Sequence, residues 1–187
     1  MKGLLIAISG PSGVGKGTIY KNLLKRMDNI SVSVSATTRL PRPGEIDGQH
    51  YYFVSRDKFA SMLSQGEFLE HAETVENLYG TPKTPVLEKV DAGIDIILEI
   101  DVKGVRQVKR EYPQCLTIFV LPPSMEELEK RLCSRDTESA EQRKKRLELA
   151  KSELSDAEWF DYRVVNDNLD DAVNEIINII NTAKVRN

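Results

Sequence analysis

An apolar run, Leu4-Leu5-Ile6-Ala7-Ile8, opens into Gly10-Pro11-Ser12-Gly13-Val14-Gly15-Lys16-Gly17-Thr18, and a helical pattern follows. That order restricts the fold more than any other stretch of the chain. Glycines at such a turn let the backbone curl until successive N–H groups point inward, and the following helix adds its positive end. Lys16 contributes a point charge. The stretch reads as a phosphate-cradling loop between a strand and a helix, suited to the polyphosphate of a nucleotide. The strict pattern has Ser or Thr directly after the lysine as a magnesium ligand, whereas here Gly17 stands there and Thr18 follows. Magnesium is then expected to be held mainly by substrate phosphates and water, as this small ion commonly is.

With 187 residues, 40% hydrophobic and 29% charged, the chain can bury one substantial core and does not read as membrane-spanning or low in complexity. A net charge of −3 supplies no basic field for a long nucleic acid, so affinity for phosphates must come from local clusters. The N-terminal apolar stretch is too short for a signal-peptide core and runs straight into the glycine loop, so retention in the cytoplasm is expected. Cys115 and Cys133 have no partner at metal or redox spacing and read as reduced structural residues.

Short runs rich in β-branched residues recur at Leu4 to Ile8, Ser31 to Val34, Ile94 to Ile100, Leu116 to Val120 and Tyr162 to Val165, mostly separated by helical patterns. Strands apolar on both faces and joined by helices predict a parallel sheet covered on both sides, an α/β doubly wound core. Ser124 and Glu127 form a capping-box pair ahead of Leu128 and Leu132. Val173, Ile176, Ile177 and Ile180 fall on one helical face near the C-terminus. Two regions break the alternation. One is an insertion of roughly sixty residues, far longer than a simple connection, with Tyr51-Tyr52-Phe53-Val54, a helix around Arg56 to Ser64 and a strand near Phe68 to Val75. The other, Cys133 to Gln142, is polar, carries Arg135 before a basic helix and suits a mobile lid.

Within the insertion, Arg39 and Arg42 lie three residues apart in a segment stiffened by Pro41 and Pro43, at the C-terminal end of a predicted strand. Open parallel sheets bind ligands at that end, and guanidinium forks match phosphate oxygens. On its own the segment is equally a solvated basic turn. The strand Ile94 to Ile100 carries Glu99 near its end with Asp101 just beyond, and alternation points both to one face. Arg131 and Arg135, like Arg143 and Arg146, are spaced to share a helical face.

Ser35-Ala36-Thr37-Thr38-Arg39-Leu40-Pro41-Arg42-Pro43-Gly44-Glu45 after a Gly-Pro-Ser-Gly-x-Gly-Lys loop resembles the guanylate kinase family. The likeness continues through Gly48 to Val54, Glu67-Phe68-Leu69-Glu70, Leu78-Tyr79-Gly80-Thr81, Leu98 to Val105, Pro122-Pro123-Ser124, Arg131 to Arg135 and Val164-Val165-Asn166-Asp167. Nearly the whole chain is covered, in order.

The resemblance implies a P-loop nucleoside monophosphate kinase: a core of about 1–34, 92–132 and 147–187, a GMP-binding subdomain of about 35–91, and a lid of about 133–146. It implies transfer of the γ-phosphoryl group of ATP to GMP, with magnesium accompanying ATP, and ATP and GMP as partners rather than a polymer or a membrane. Association into a homo-oligomer stays open. Gly10, Pro11, Ser12, Gly13, Val14, Gly15, Lys16, Gly17 and Thr18 would hold ATP, with Asn166 on the adenine side. Ser35, Glu70 and Thr81 would face guanine, and Arg39, Arg42, Tyr51 and Tyr79 the GMP phosphate. Lys16, Arg131, Arg135 and Arg146 would act on the transferring group. Asp101 would orient either the metal's water shell or an arginine on GMP, and Glu99 would reach the guanine or ribose side. Two rivals are a kinase-like module that binds protein ligands, in which the phosphate loop is typically lost, and a kinase for another nucleoside monophosphate.

Overall fold

The computed structural model describes residues 2–74, 76–133 and 140–186. In chain order the elements are β1 (Leu5–Ser9), α1 (Lys16–Arg26), β2 (Ile30–Val32), β3 (Ala36–Thr37), β4 (Tyr52–Phe53), α2 (Arg56–Ser64), β5 (Phe68–Thr74), β6 (Asn77–Pro82), α3 (Lys83–Asp91), β7 (Asp95–Glu99), α4 (Val102–Glu111), β8 (Leu116–Leu121), α5 (Met125–Cys133), α6 (Ala140–Ser155), β9 (Tyr162–Val165) and α7 (Leu169–Arg186). One sheet runs in the order β2-β7-β1-β8-β9 and a second in the order β4-β3-β6-β5. Two compact units divide the chain, Met1–Leu5 with Ser31–Cys115 and Ile6–Ile30 with Leu116–Asn187, so the division falls within β1. Among the described residues no helix is long and apolar enough to cross a membrane.

In the unit of Ile6–Ile30 and Leu116–Asn187, β8 pairs in parallel with β1 on one side and β9 on the other. Strands covered on both faces are apolar throughout, and Ile6, Ala7, Ile8, Ile118, Phe119 and Val120 are all fully buried. Tyr20 of α1 donates its hydroxyl to the Ile8 carbonyl at 3.0 Å, tying the helix after the glycine loop to the strand before it. The capping serine behaves as its position requires, since Ser124 Oγ accepts the Glu127 N–H at 3.1 Å. Leu128 and Leu132 then pack with Ala150 of α6. Val173, Ile176 and Ile180 form the buried face of α7.

The unit of Met1–Leu5 and Ser31–Cys115 contains the four-stranded sheet, in which β3 runs parallel to β4 and antiparallel to β6, and β6 antiparallel to β5. Its small core is Ala36, Phe59 and Phe68, with the two rings stacked at 4.5 Å between centroids. Burying each such ring is worth about 1.5–3 kcal/mol, enough to hold α2 on so short a sheet. β7 is buried through Ile96, Ile97 and Leu98 and ends at Glu99. Asp101 lies beyond the strand and caps α4, its Oδ1 accepting the Gly104 N–H at 2.7 Å. Alternation therefore does not relate Asp101 to Glu99, because the helix start intervenes.

Candidate active site

The candidate residues fall into two groups, one in each unit. In the first, the glycine loop leaves β1 at Ser9 and enters α1 at Lys16. A Cβ on Gly10, at φ +147°, would stand 2.4 Å from the Val120 carbonyl oxygen, and one on Gly15, at φ +98°, would stand 2.6 Å from Asn166 Nδ2. The loop can lie this close to its neighbours only with glycine at both positions. Val14 turns inward and is fully buried. Its carbonyl accepts from Asn166 Nδ2 at 2.8 Å, and the Asn166 carbonyl in turn accepts from Arg131 at 3.2 Å. Arg131 Nε also donates to Glu127 at 3.1 Å. A chain of hydrogen bonds thus joins the loop to the end of β9 and to α5.

Lys16 Nζ donates to the Gly10 carbonyl, and to that of Pro11 at 3.2 Å. The ammonium is held over its own loop by weak neutral acceptors, for which phosphate oxygens compete well. A Cβ at Gly17 would meet nothing within 4 Å, so the place of the missing hydroxyl is open space. No group of three or more His, Cys, Asp or Glu side chains suited to a metal exists among the described residues.

In the second group, Ser35, Arg39, Arg42, Tyr51, Glu70, Tyr79, Thr81, Glu99 and Asp101 all belong to the other unit. Glu70 owes its setting to a register shift: Phe68 pairs with Pro82 but Glu70 with Thr81, so Leu69 is an extra residue and three consecutive side chains are buried. Glu70 Oε1 accepts from the Thr81 hydroxyl at 2.6 Å, and Thr81 Oγ1 lies 3.3 Å from Ser35 Oγ. Glu70 is only 7% exposed. Burial pushes its carboxyl pKa up, the Thr81 hydrogen bond pulls it down, and the charge of Asp101 pushes it up again. A Cβ on Gly104 would stand 2.9 Å from Glu70 Oε2, so the first turn of α4 can pass beside the carboxylate because it lacks a side chain there.

Arg39 lies over the rings of Tyr51 and Phe53, 5.4 and 5.7 Å from their centroids. Tyr79 meets Tyr51 edge-on at 6.1 Å. Desolvation raises the Tyr51 hydroxyl pKa, helped by Tyr79 and then by the charge of Glu99, which places that exposed carboxylate within electrostatic reach of the tyrosine. The Arg39 guanidinium is bound by both oxygens of Glu45, each at 2.9 Å. Arg42 is exposed, and its backbone N–H donates to the same carboxylate at 2.7 Å. Arg39 first and the Arg42 amide second hold the Glu45 carboxyl down to about 2.

A family model of guanylate kinase matches residues 2–183. The chain belongs to the guanylate kinase family. Its likeness to the guanylate kinase of Carboxydothermus hydrogenoformans is 49% identity over 185 residues, covering 99% of this chain and 91% of that protein. The crystal structure of the guanylate kinase from Anaplasma phagocytophilum matches with a TM-score of 0.77 at 37% identity, over 97% of this chain and 86% of that one. The α/β architecture with a parallel central sheet is that of a P-loop nucleoside monophosphate kinase. The SH3-kinase fragment of tight junction protein 3 shares the fold alone, at 10% identity and a TM-score of 0.50, over 97% of this chain and 57% of that one. Fold by itself does not establish function, which has to be read from the side chains of the site.

Of the arginines expected at the lid, Arg131 sits on α5 as described above. Arg135 lies outside the described residues, and the side chains of Arg143 and Arg146 on α6 do as well. Two residues at the acceptor group carried no expectation, Glu45 and Gly104. The Pro-Gly pair of a reversing turn before Glu45, and the Asp-x-x-Gly spacing at a helix start for Gly104, are the signals that point to them.

Proposed function

We propose that this chain transfers the γ-phosphoryl group of ATP to the phosphate of GMP, yielding ADP and GDP. The observation that carries this reading is the buried Glu70 carboxylate, held by Thr81 in turn beside Ser35, in the same unit as the aromatic-backed Arg39. Guanine presents two adjacent donors, its ring N1–H and its 2-amino group, and a carboxylate accepts both; adenine has no N1–H to give. A site with buried acceptors rejects the analogue that leaves them unpaired. The raised Glu70 pKa supports the same reading, since a desolvated carboxylate without enough donors is what guanine would complete.

Phosphoryl transfer asks the protein for position and charge compensation more than for covalent chemistry. The loop amides and Lys16 hold the β and γ phosphates, while Arg39, Arg42, Tyr51 and Tyr79 hold the acceptor phosphate. Arg131, Arg135 and Arg146 offset charge on the transferring group, and Asn166 braces the loop from behind. Residues 35–91 act as the acceptor-binding insert and 133–146 as the lid that keeps water from the donor. Magnesium fits this chain as a companion of ATP: with open space at Gly17 and no ligand cluster among the described residues, phosphate oxygens and water would hold it. When bound, the ion offsets the negative charge of the polyphosphate. The scaffold alternative is disfavoured by the intact loop with Lys16, and the other monophosphate kinases by Glu70.

The test is a coupled assay of ADP formation with GMP, AMP or UMP as acceptor. Turnover with GMP alone is expected. Equal rates with AMP reject the guanine assignment, and no turnover with any acceptor returns the scaffold reading.

A further inference from the structure

Arg42-Pro43-Gly44-Glu45 closes a tight turn in which the Glu45 N–H donates to the Arg42 carbonyl at 3.0 Å and Gly44, at φ +85°, takes the left-handed place after proline. The turn sends Glu45 back toward Arg39. Its two carboxylate oxygens each accept from the guanidinium at 2.9 Å, and one of them also accepts the Arg42 N–H at 2.7 Å. A single carboxylate thereby ties the orientation of Arg39 to the backbone of Arg42. The Leu40 carbonyl, at 2.7 Å, takes a further N–H of the same terminal nitrogen, and the Tyr51 and Phe53 rings back the guanidinium plane. Glu45 occupies the end of the fork between its two terminal nitrogens, which leaves the edge formed by Nε and the second terminal nitrogen as a two-donor fork of the kind that matches an oxyanion, with the Tyr79 hydroxyl in hydrogen-bonding reach of the same guanidinium.

We propose that Glu45 is a positioning residue of the acceptor site, which presets Arg39 to receive the phosphate of GMP. This rests on the reading that Arg39 binds that phosphate. Two effects of opposite sign meet at Glu45. Its negative charge opposes an incoming phosphate, and its grip removes the freedom that a long side chain would otherwise lose on binding. The first effect is blunted because the carboxylate is paired directly with Arg39 and hydrogen-bonded to the Arg42 amide, with the pair only 15% and 18% exposed. The second is undiminished, because hydrogen bonds to Leu40 and to both Glu45 oxygens already fix the guanidinium. Presetting wins, and the turn of Pro43 and Gly44 is the local sequence that makes it available.

Steady-state kinetics of Glu45→Gln test this. Glutamine keeps an oxygen for the Arg42 amide but loses the charge and one of the two acceptors. KM for GMP is expected to rise about tenfold, with kcat and KM for ATP within about twofold and an unchanged melting curve. In an Arg39→Met background the same substitution is expected to change KM for GMP less than about twofold, because the effect passes through Arg39. A fall in KM on Glu45→Gln would show that the carboxylate competes with the phosphate, and it overturns the inference. So does an unchanged KM, or an equal rise in the Arg39→Met background, which marks a role in the turn alone. If Arg39→Met raises KM while Glu45→Gln is silent, only the positioning role is lost. If Arg39→Met itself leaves KM for GMP unmoved, the assignment of Arg39 to the phosphate fails as well.

Discussion

The glycine loop grips with main chain, whereas the region around Glu70 and Arg39 grips with side chains. In the loop, identity is set by space: Gly10 and Gly15 are there because Val120 and Asn166 leave room for nothing larger. Around Glu70 and Arg39, identity is set by chemistry: the Glu70 carboxylate is joined to the Thr81 hydroxyl, itself beside Ser35, and the Arg39 guanidinium to the Glu45 carboxylate, by bonds that other residue types cannot make. Main-chain amides register the charge of a polyphosphate and are indifferent to the base attached to it. Choice between bases has to reside in the side chains.

Lys16→Ala should break the comparison most visibly, lowering kcat by about 10³-fold, as loss of a donor aimed at developing charge does. GMP affinity measured by calorimetry should stay intact, and its loss would show that the two groups of residues have been given the wrong partners. Glu70→Gln comes next. Its KM for GMP should rise about 10²-fold with KM for ATP unmoved, because the lost interaction is a charged one made only to guanine. The same variant should be more stable. Glu70's pKa is raised in the folded state, so the stability it contributes is full at low pH and is lost as pH rises through that folded value. Above that value the buried charge is a cost, and there Gln should raise Tm by about 2 °C. A lower Tm would mean that Thr81 and its neighbours already satisfy the carboxylate.

Two glycine substitutions sharpen the contrast at smaller scale. Gly104→Ala places its Cβ 2.9 Å from Glu70 Oε2, the movable end of a side chain, so KM for GMP should rise about tenfold. Its melting temperature should barely move. Gly10→Ala meets the Val120 carbonyl at 2.4 Å, which is backbone, and should destabilise the fold by about 3 kcal/mol, read in a denaturant melt. Equal destabilisation by both would remove the distinction between a site limited by space and one limited by chemistry.

The sequence shows the loop, the strands that read apolar on both faces and the α7 stripe, because each is a local pattern with one physical meaning. Other elements hide for reasons that the structure supplies. β3 is two residues long, too short to show alternation. β6 contains Gly80 and Pro82, which argue against a strand, yet Gly80 is there because a Cβ would lie 2.8 Å from the Phe68 ring. α3 carries Pro85, tolerated in a first turn but read as a breaker. Asp101 looks like a strand residue until its hydrogen bond to Gly104 shows a cap. The guanine-side triad joins Ser35, Glu70 and Thr81 across three segments, so only resemblance, and no local spacing, could bring them together. The bulge that aims Glu70 at Thr81 leaves no mark in composition at all.

The ratio of kcat/KM for GMP to that for AMP, measured for the unaltered chain and for Glu70→Gln, tests most directly whether one acidic side chain sorts the acceptor. The ratio should be large in the first and fall by about 10²-fold in the second, with the rate at saturating ATP limited by the same loop in both. An unaltered ratio would place the choice of base elsewhere and contradict the account.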